Sequence, residues 1–277
     1  MSVDASGMVA VIGAGPAGLL AAQAVADLDL QPIIFTAGDG PSQIGGATYL
    51  HEPIASLMQP GAPTGLIRFR KVGTPEGYAE KLYGDARAPS SWSKFGDGEV
   101  RPAWSVQDMY AKLWARWEDS ILPGMQLRPI DLDAMSETYS LVINSAPAQA
   151  FCELTPSCSF QATQVYVSQN LDGRASTLDG LAPTLAREVG ENEIIYDGRP
   201  GEQFYRYSRI FGRESVESVK PFNGQTGYGI KPTTTTCKCQ RGVTVQVGRF
   251  GKWDKNVLMH EAYKDAMNAV LNIEGGV

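Results

Sequence analysis

Hydrophobic residues in the 277-residue chain form short runs and helical stripes that predict a mixed α/β protein. One apolar run covers 8–12, an alanine- and leucine-rich helical pattern covers 19–28, and a second apolar run covers 32–36. Two short buried strands that flank one helix are typical of a βαβ unit with parallel strands. We therefore expect a parallel sheet that starts near the beginning of the sequence.

The helical pattern is clearest after Ser105, where apolar residues recur at helical spacing: Val106, Met109, Tyr110, Leu113, Trp114 and Trp117. Ser105 and Asp108 resemble an N-terminal capping pair, and Pro123 with Gly124 predicts the end of this helix. The stretch 38–104 is rich in Gly, Pro and Ser and has little periodicity. We expect it to wrap around a ligand site.

From residue 164 the pattern changes to short strands, which predicts a separate antiparallel sheet. Alternation along the strand 204–211 places Tyr205 and Arg209 on one face and Arg206 on the other. Three last elements are predicted near the C-terminal end: a strand at 243–247, a turn at 248–251 and a helix at 256–271.

A glycine-rich turn joins the first strand to the first helix. Gly13 permits the tight turn, Gly15 lets the backbone approach a phosphate group, and Gly18 lets the helix pack against the sheet. Pro16 and Ala17 open the helix, whose N-terminal N–H groups and dipole favour an anion. This arrangement predicts a dinucleotide cradle, and a purely structural glycine turn is the alternative.

The second strand ends in Thr36, where dinucleotide-binding folds usually carry an acidic residue for the ribose hydroxyls. A threonine hydroxyl can still form a hydrogen bond with ribose. No Arg occurs between 36 and 42, so nothing favours a 2′-phosphate, and NADP is disfavoured.

The formal net charge of −6 is unevenly distributed. Residues 196–256 contain 11 Lys and Arg against 5 Asp and Glu. A basic region in an acidic protein is typical of a face that meets an anionic substrate or polymer, although a cofactor pyrophosphate and surface ion pairs are an alternative reason. No apolar run has the length of a membrane span and no signal-peptide pattern is visible, so we expect a cytoplasmic location.

The four cysteines are Cys152, Cys158, Cys237 and Cys239. Reduced thiols are the expectation for a cytoplasmic protein, with two disulfides as the alternative. Cys237 and Cys239 could bind a metal together with a distant His, or form a redox-active pair, but no second pair has zinc-finger spacing. The sequence therefore predicts no metal site.

Motifs in separate parts of the chain occur in an order that is typical of one protein family. Besides the glycine-rich turn, they are Ile44-Gly45-Gly46-Ala47, the strand 141–144 that leads to Pro147, and the segment 248–253 before the last helix. With these motifs in this order, the chain resembles flavoproteins of the glutathione-reductase and amine-oxidase type, and among them the UDP-galactopyranose mutases. The resemblance implies FAD, held by the first cradle and by a further set of residues: Thr36, Gly45, Gly46, Ala47, Pro147, Gly248, Arg249 and Trp253.

The resemblance also implies an α/β fold in which a Rossmann-like FAD-binding domain is interspersed with a smaller antiparallel-sheet substrate domain. The FAD-binding domain is expected in three segments: 1–50, 105–150 and 238–277. The substrate or cap region is expected at 51–104 and 151–237. The chain departs from the mutases at Ser42-Gln43, where that family usually has a basic residue, and it shows no paired arginines and tyrosines for a sugar nucleotide outside 205–209.

Segments at 45–54, 204–212 and 248–253 are also similar to small FAD-binding proteins of bacteriophages. Some of those are FAD-dependent lyases that act on amino-acid-modified thymine in DNA. The resemblance implies amine oxidation, in which hydride leaves a glycyl Cα–H, the imine hydrolyses and an aminomethyl base remains. The implied partner is an amine-bearing substrate, with modified DNA as a candidate, and the location would be the host cytoplasm. A base in duplex DNA would have to flip outward.

His51 lies five residues after the Gly-Gly turn and is the favoured acid–base or substrate-positioning group. Tyr49, Tyr205, Arg206 and Arg209 are the other catalytic candidates, because an Arg fork binds a carboxylate or phosphate. The alternative is that all five are ordinary packed residues.

Three functions remain open at this point. The first is an FAD-dependent oxidase or lyase that oxidises a C–N bond of an amine. The second is a mutase-like enzyme in which reduced flavin attacks a sugar nucleotide, and the third is a non-catalytic module that FAD only stabilises. His260, the second histidine of the chain, is expected at the surface or at a helix cap.

Overall fold

The computed structural model describes residues 7–46, 48–57, 64–88, 90–153, 157–170, 188–239 and 244–274. Its strands are β1 (Met8–Ile12), β2 (Gln31–Phe35), β3 (Tyr49–Leu50), β4 (Thr64–Gly73), β5 (Val100–Ser105), β6 (Ile121–Leu122), β7 (Leu141–Asn144), β8 (Phe160–Asn170), β9 (Glu193–Gly198), β10 (Phe204–Ile210), β11 (Arg213–Ser218), β12 (Gly227–Thr235) and β13 (Thr244–Gln246). Its α-helices are α1 (Pro16–Ala26), α2 (Pro75–Tyr83), α3 (Val106–Trp117), α4 (Pro129–Thr138), α5 (Gly248–Lys252) and α6 (Glu261–Glu274). Ala47, a predicted cofactor contact, lies outside these residues.

One sheet is five-stranded and parallel, in the order β13-β7-β1-β2-β6. Its centre is β1, where Val11 lies between Ile34 of β2 and Ile143 of β7. All three side chains are fully buried, as expected for a parallel sheet that is covered on both faces. The predicted βαβ unit is confirmed, with helix α1 beginning at Pro16 instead of Leu19.

The second sheet has eight strands in the order β12-β8-β11-β10-β9-β4-β5-β3. Its strand pairs are antiparallel except for β4 and β9, which run parallel. The prediction of a second, antiparallel sheet is therefore confirmed with one parallel pair. Together the two sheets give the expected α/β class, a Rossmann-like parallel sheet joined to a mostly antiparallel one.

The stretch 38–104, expected to wrap around a ligand site, has more regular structure than its composition indicated. This stretch contributes β3, β4, β5 and helix α2 to the second sheet and its cover. In β4, Ile67 and Phe69 are fully buried while Arg68 is exposed, so the alternation typical of a strand was present. The surrounding Gly and Pro residues concealed it.

The C-terminal part also differs from its prediction. Residues expected to form a turn at 248–251 are the first residues of helix α5, and the last helix begins at Glu261. Helix α3 agrees with its stripe, and Ser105 Oγ accepts a hydrogen bond from the Asp108 N–H as the predicted cap. Among the described residues, no helix combines the length and apolar character that a bilayer crossing requires.

Candidate functional site

The glycine-rich turn has the geometry that a dinucleotide cradle requires. Gly13 adopts a φ of +97°, and a Cβ atom there would lie 2.6 Å from Ser145 Oγ. A Cβ on Gly18 would lie 1.8 Å from the Gly13 carbonyl oxygen, so α1 packs on the turn only without a side chain. In contrast, no heavy atom lies within 4 Å of a Cβ built on Gly15. The backbone is therefore open beside the N-terminus of α1, where a phosphate would bind.

The C-terminal segment packs directly against this cradle. Gly248 has a φ of +70°, and a Cβ there would lie 2.6 Å from the Ala17 Cβ in the first turn of α1. A Cβ on Gly251 would lie 2.5 Å from the carbonyl oxygen of Asn144, the last residue of β7. Pro147 lies just beyond this point. The structure thus brings together three motifs that the sequence analysis linked only by their order.

Tyr110 connects the cradle to the segment that carries the Gly-Gly turn. Its hydroxyl donates a hydrogen bond to the Ala14 carbonyl oxygen, 2.9 Å away, and accepts one from the Ser42 N–H at 3.0 Å. Gly46, at a φ of +75°, donates its N–H to Gln169 Oε1 at 2.6 Å. These contacts hold the Gly-Gly turn between the two sheets.

Two cavities lie side by side near the Gly-Gly turn. The larger has a volume of about 450 Å³ and lies between Gln43, Gly45 and Thr48 on one side and strands β8 and β12 on the other. This volume is within the range of small-molecule sites, about 300–1,000 Å³. The smaller has about 90 Å³ and is lined by both aromatic and cationic side chains, with these rings in its lining: Tyr49, His51, Tyr78, Tyr83 and Tyr196.

Three cationic side chains, Arg206, Lys231 and Arg249, line both cavities. Glu217 is the carboxylate among them. It contacts Arg206, and its Oε2 accepts a hydrogen bond from Lys231 Nζ at 2.8 Å. Tyr205 donates its hydroxyl to Glu217 and accepts from Lys231 Nζ at 2.6 Å. We call these five residues the charged wall.

The ionisation of the charged wall leaves it with net positive charge. Burial alone would raise the pKa of Glu217, but Arg206 and Lys231 outweigh it and hold that pKa at about 2. Burial lowers the pKa of Lys231 to about 8, against the opposite effect of Glu217. Burial also lowers the pKa of Arg249, whose Nε has no hydrogen-bond partner in the part of the chain that the structure describes. Near pH 7 the wall can therefore attract an anionic group.

His51 lies in the aromatic cavity in its neutral form. Its ring stacks on Phe95 with 5.6 Å between centroids and lies 4.4 Å from the Tyr49 ring. Burial, together with His260 and Lys94, lowers the pKa of His51 to about 3. A histidine with so low a pKa is neutral at pH 7 and only a weak base, so it is better suited to accept a hydrogen bond from a substrate than to transfer a proton. Its buried Nδ1 has no hydrogen-bond partner among the described residues.

Tyr49 lines the small cavity beside His51, whereas His260 is not among the lining residues. Burial raises the pKa of Tyr49 well above its usual value, so this residue presents a neutral phenol. His260 was expected at the surface or at a cap. It directly precedes α6, but its side chain is buried, and its Nε2 lies 3.2 Å from Glu52 Oε1.

The predicted faces of strand β10 are wrong, because its pairing with β11 shifts register between Phe204 and Arg206. The bulge lets the neighbours Tyr205 and Arg206 both reach Glu217. Tyr207 instead packs with Phe204 in a separate cluster.

Several predicted site residues line neither cavity, and for Arg209 and Trp253 the structure shows other contacts instead. Arg209 forms an ion pair with Glu214, at 2.7 Å, across the β10–β11 hairpin. Trp253 is 1% exposed and donates its indole N–H to the Gln161 carbonyl oxygen, so it is a core residue. Thr36 remains at the end of β2, and Gly13 donates its N–H to the preceding carbonyl oxygen, that of Phe35.

Glu217 and Lys231 are site residues that the sequence analysis did not identify. Glu217 lies directly opposite Arg206 in the β10–β11 register, so a cross-strand charge pair was the available signal. Lys231 lies in β12, whose Gly and Thr residues concealed the strand. The four cysteines also lie together, although their spacing predicted no metal site.

Comparisons with known proteins support the fold. No model of a known protein family matches the sequence, and no curated protein matches it. The structure is similar to that of a reduced UDP-galactopyranose mutase, with a TM-score of 0.59 and 11% identity over 100% of this chain and 95% of the mutase chain. The chain therefore has the two-sheet α/β fold of that mutase, as the resemblance of its motifs predicted.

Similarities to two other structures are weaker. Klebsiella pneumoniae HpxO, complexed with FAD and uric acid, gives a TM-score of 0.48 at 14% identity, over 94% of this chain and 78% of its own. The tetracycline destructase Tet(51) gives 0.47 at 10% identity, over 98% of this chain and 82% of its own.

Proposed function

We propose that this chain is an FAD-dependent enzyme that oxidises a C–N bond of an amine whose substituent carries an anionic group. The observation that carries the proposal is the charged wall between two cavities. One cavity is lined by Gln43 and Gly45 of the Gly-Gly segment, and the other is lined by tyrosines, cationic side chains and a neutral histidine. Such a site would hold a flavin on one side of the wall and a small amine on the other.

The residues present fit an FAD molecule. The open backbone at Gly15 and the N-terminal N–H groups of α1 would bind the pyrophosphate, and Thr36 would reach the ribose. Gly45, beside which a Cβ would meet no atom within 4 Å, leaves the wall of the larger cavity flat enough for an aromatic ring system. When bound, FAD would supply a two-electron acceptor for hydride.

The small cavity would prepare the substrate amine. Its tyrosine rings would shield part of the amine from water, and the positive charge of Arg206 and Arg249 would lower the pKa of an ammonium group beside them. Both effects favour the neutral amine, the form that can give up hydride from its Cα–H. The Nδ1 atom of His51 would accept a hydrogen bond from the amine N–H and fix its orientation.

The Arg249 fork would bind the anionic group of the substrate. Its Nε is buried without a partner among the described residues, so a carboxylate or phosphate would satisfy it. Loss of hydride would convert the amine to an imine, and water would then cleave the C–N bond. An amino-acid-modified thymine in phage DNA, which carries both an amine and a carboxylate, is the substrate that the resemblance to phage lyases favours.

A mutase-like activity is the second candidate. It is supported by the fold similarity to the mutase and by Arg206 and Arg249, which line the same cavities although they are far apart in sequence. Two arginines at one site would suit a diphosphate group as well as a carboxylate.

The first test is the visible spectrum of the purified protein, which should show oxidised flavin bands, alone or after addition of FAD. Anaerobic mixing then separates the candidates. Bleaching of the oxidised flavin by a glycyl-modified thymidine oligonucleotide supports amine oxidation, whereas turnover of a UDP-sugar only after chemical reduction supports the mutase reaction. A protein that takes up no FAD contradicts both.

Arg249→Ala should raise the KM for the anionic amine by at least about tenfold, because a hydrogen bond to a charged group contributes about 1.5–3 kcal/mol. Arg209→Ala is the control, since Arg209 is paired with Glu214 in the β10–β11 hairpin and lies outside both cavities. Equal effects of the two substitutions would contradict a role of Arg249 in substrate binding.

A further inference from the structure

All four cysteines of the chain lie together where the two sheets are connected. Cys152 follows β7 of the parallel sheet, and Cys158 precedes β8 of the second sheet. Cys237 and Cys239 follow β12, after which the chain returns to the parallel sheet at β13. The cluster therefore joins the β7–β8 connection, which leaves the parallel sheet, to the β12–β13 connection, which returns to it.

The pairing of β8 with β12 brings these cysteines together. Phe160 at the start of β8 lies opposite Thr235 at the end of β12, so the flanking residues meet. Beyond this pair, the Ser159 N–H donates to Thr236 Oγ1 at 3.0 Å, and Thr235 Oγ1 donates to the Ser159 carbonyl oxygen at 2.7 Å. The arrangement of the cysteines therefore follows from a hydrogen-bonded framework that does not depend on the thiols.

The distances between the sulfur atoms match a tetrahedral metal site. Cys237 Sγ lies 3.3 Å from Cys152 Sγ, Cys158 Sγ lies 3.5 Å from Cys239 Sγ, and Cys152 Sγ lies 3.8 Å from Cys239 Sγ. All four atoms lie within 4.8 Å of one another, and none is in a disulfide. Zn–S bonds of about 2.3 Å at tetrahedral angles place sulfurs about 3.8 Å apart, whereas a disulfide needs about 2.05 Å.

We propose that these four cysteines bind one Zn²⁺ ion as a structural site. Four thiolates suit zinc or iron, and a closed set of four protein ligands leaves no open position for catalysis. Binding replaces the four S–H protons with Zn–S bonds and releases the protons to solvent. The Cys239 N–H, 3.4 Å from Cys237 Sγ, would support the thiolate charge.

This site would hold the β7–β8 and the β12–β13 connections between the sheets in one position. One consequence concerns the charged wall, because Arg249 follows the returning connection and β13. Zinc would thus maintain the placement of Arg249 without touching either cavity. The proposal stands independently of FAD, since it rests only on the cysteine cluster.

Metal analysis of the purified wild-type chain tests the proposal directly. We expect about one zinc per chain, released when a mercurial reagent modifies the thiols. Replacement by Co²⁺ should give the intense thiolate-to-cobalt charge-transfer bands and visible d–d bands of a tetrahedral sulfur site. Protein without metal, with four titratable thiols or with a mass that indicates disulfides, would overturn the proposal. Iron in place of zinc would overturn it as well.

Substitutions then assign the ligands. Cys158→Ser and Cys239→Ser should weaken zinc binding more than about 100-fold, because changes in the outer shell alone cost about 10–100-fold. Lys238→Ala is the matched control: it lies between two ligands, is exposed and should retain zinc. If a serine variant does not fold, the cobalt spectrum of the wild-type protein still decides the outcome.

Discussion

The parallel sheet and the second, eight-stranded sheet, which we call the mixed sheet, contribute to the candidate site in opposite ways. The parallel sheet supplies mainly backbone: a glycine turn at Gly13, an open N–H surface at Gly15 and the N-terminus of α1. The mixed sheet supplies side chains, which form the charged wall around Glu217 together with Arg249 of α5. Binding by backbone needs glycine at particular positions, whereas binding by side chains needs correct strand register and charge balance. The two halves should therefore respond differently to substitution.

The largest effect is expected in the parallel sheet, for Gly18→Ala. The new Cβ would lie 1.8 Å from the Gly13 carbonyl oxygen, which is backbone and cannot move without disrupting the turn. We expect a loss of more than about 3 kcal/mol in the free energy of unfolding, measured by urea denaturation, or no folded protein.

Gly15→Ala is the control within the same turn. A Cβ there meets no atom within 4 Å, and the φ of −74° is compatible with alanine. The free energy of unfolding should change by less than about 1 kcal/mol, while the affinity for FAD falls because the methyl group occupies the space for the pyrophosphate. A large loss of stability in Gly15→Ala would contradict the separation of roles in the cradle.

The next effect is expected in the mixed sheet, for Glu217→Gln. This change leaves Arg206 and Lys231 without their buried carboxylate, which costs about 3–5 kcal/mol in comparable cases. The folded-state pKa of about 2 lies below the unfolded value, so Glu217 stabilises the wild type above about pH 4.5, and this contribution is lost between pH 4.5 and 2.

Denaturation at several pH values measures both effects of Glu217→Gln. The variant should lose less stability than the wild type on acidification over that range. Glu214→Gln, in the same strand but outside the wall, should cost less than Glu217→Gln. If the two variants are equally stable, the wall does not hold this half of the site together.

The smallest effect near neutral pH concerns His51. Its folded-state pKa of about 3 lies below the ordinary value of 6.5, so the unfolded chain binds more protons between these values, and stability falls as the pH falls through that window. His51→Phe, which keeps the stacking on Phe95, should weaken this dependence.

The NMR signals of the imidazole protons give a direct measurement, because the chain has only two histidines. His260→Asn would assign them. The His51 signal should not shift between about pH 8 and pH 4. A midpoint near 6.5 would show an accessible imidazole and would return the acid–base role to consideration.

The same comparison explains what the sequence could predict. The βαβ unit and its glycine turn are contiguous, so each residue's role follows from its neighbours. Glu217 and Lys231 belong to the site only through the pairing of β8 with β11 and β12, and the bulge in β10 reverses the expected face of Tyr205. The four cysteines likewise meet only because β8 and β12 pair, which no spacing rule captures. The local sequence pattern was therefore enough to predict the glycine turn. The residues of the charged wall could not be predicted in this way, because they come together only through the register of strands that are distant in sequence.

The position of β13 has a consequence for how the protein is made. This strand supplies Val245 as the parallel neighbour of Ile143 in β7, so one edge of the parallel sheet stays uncovered until the ribosome has released nearly the whole mixed sheet. Contacts so distant in sequence close slowly, and an open strand edge invites pairing with other chains in the meantime. Yield during synthesis should therefore depend on chaperones that shield β7 while translation continues.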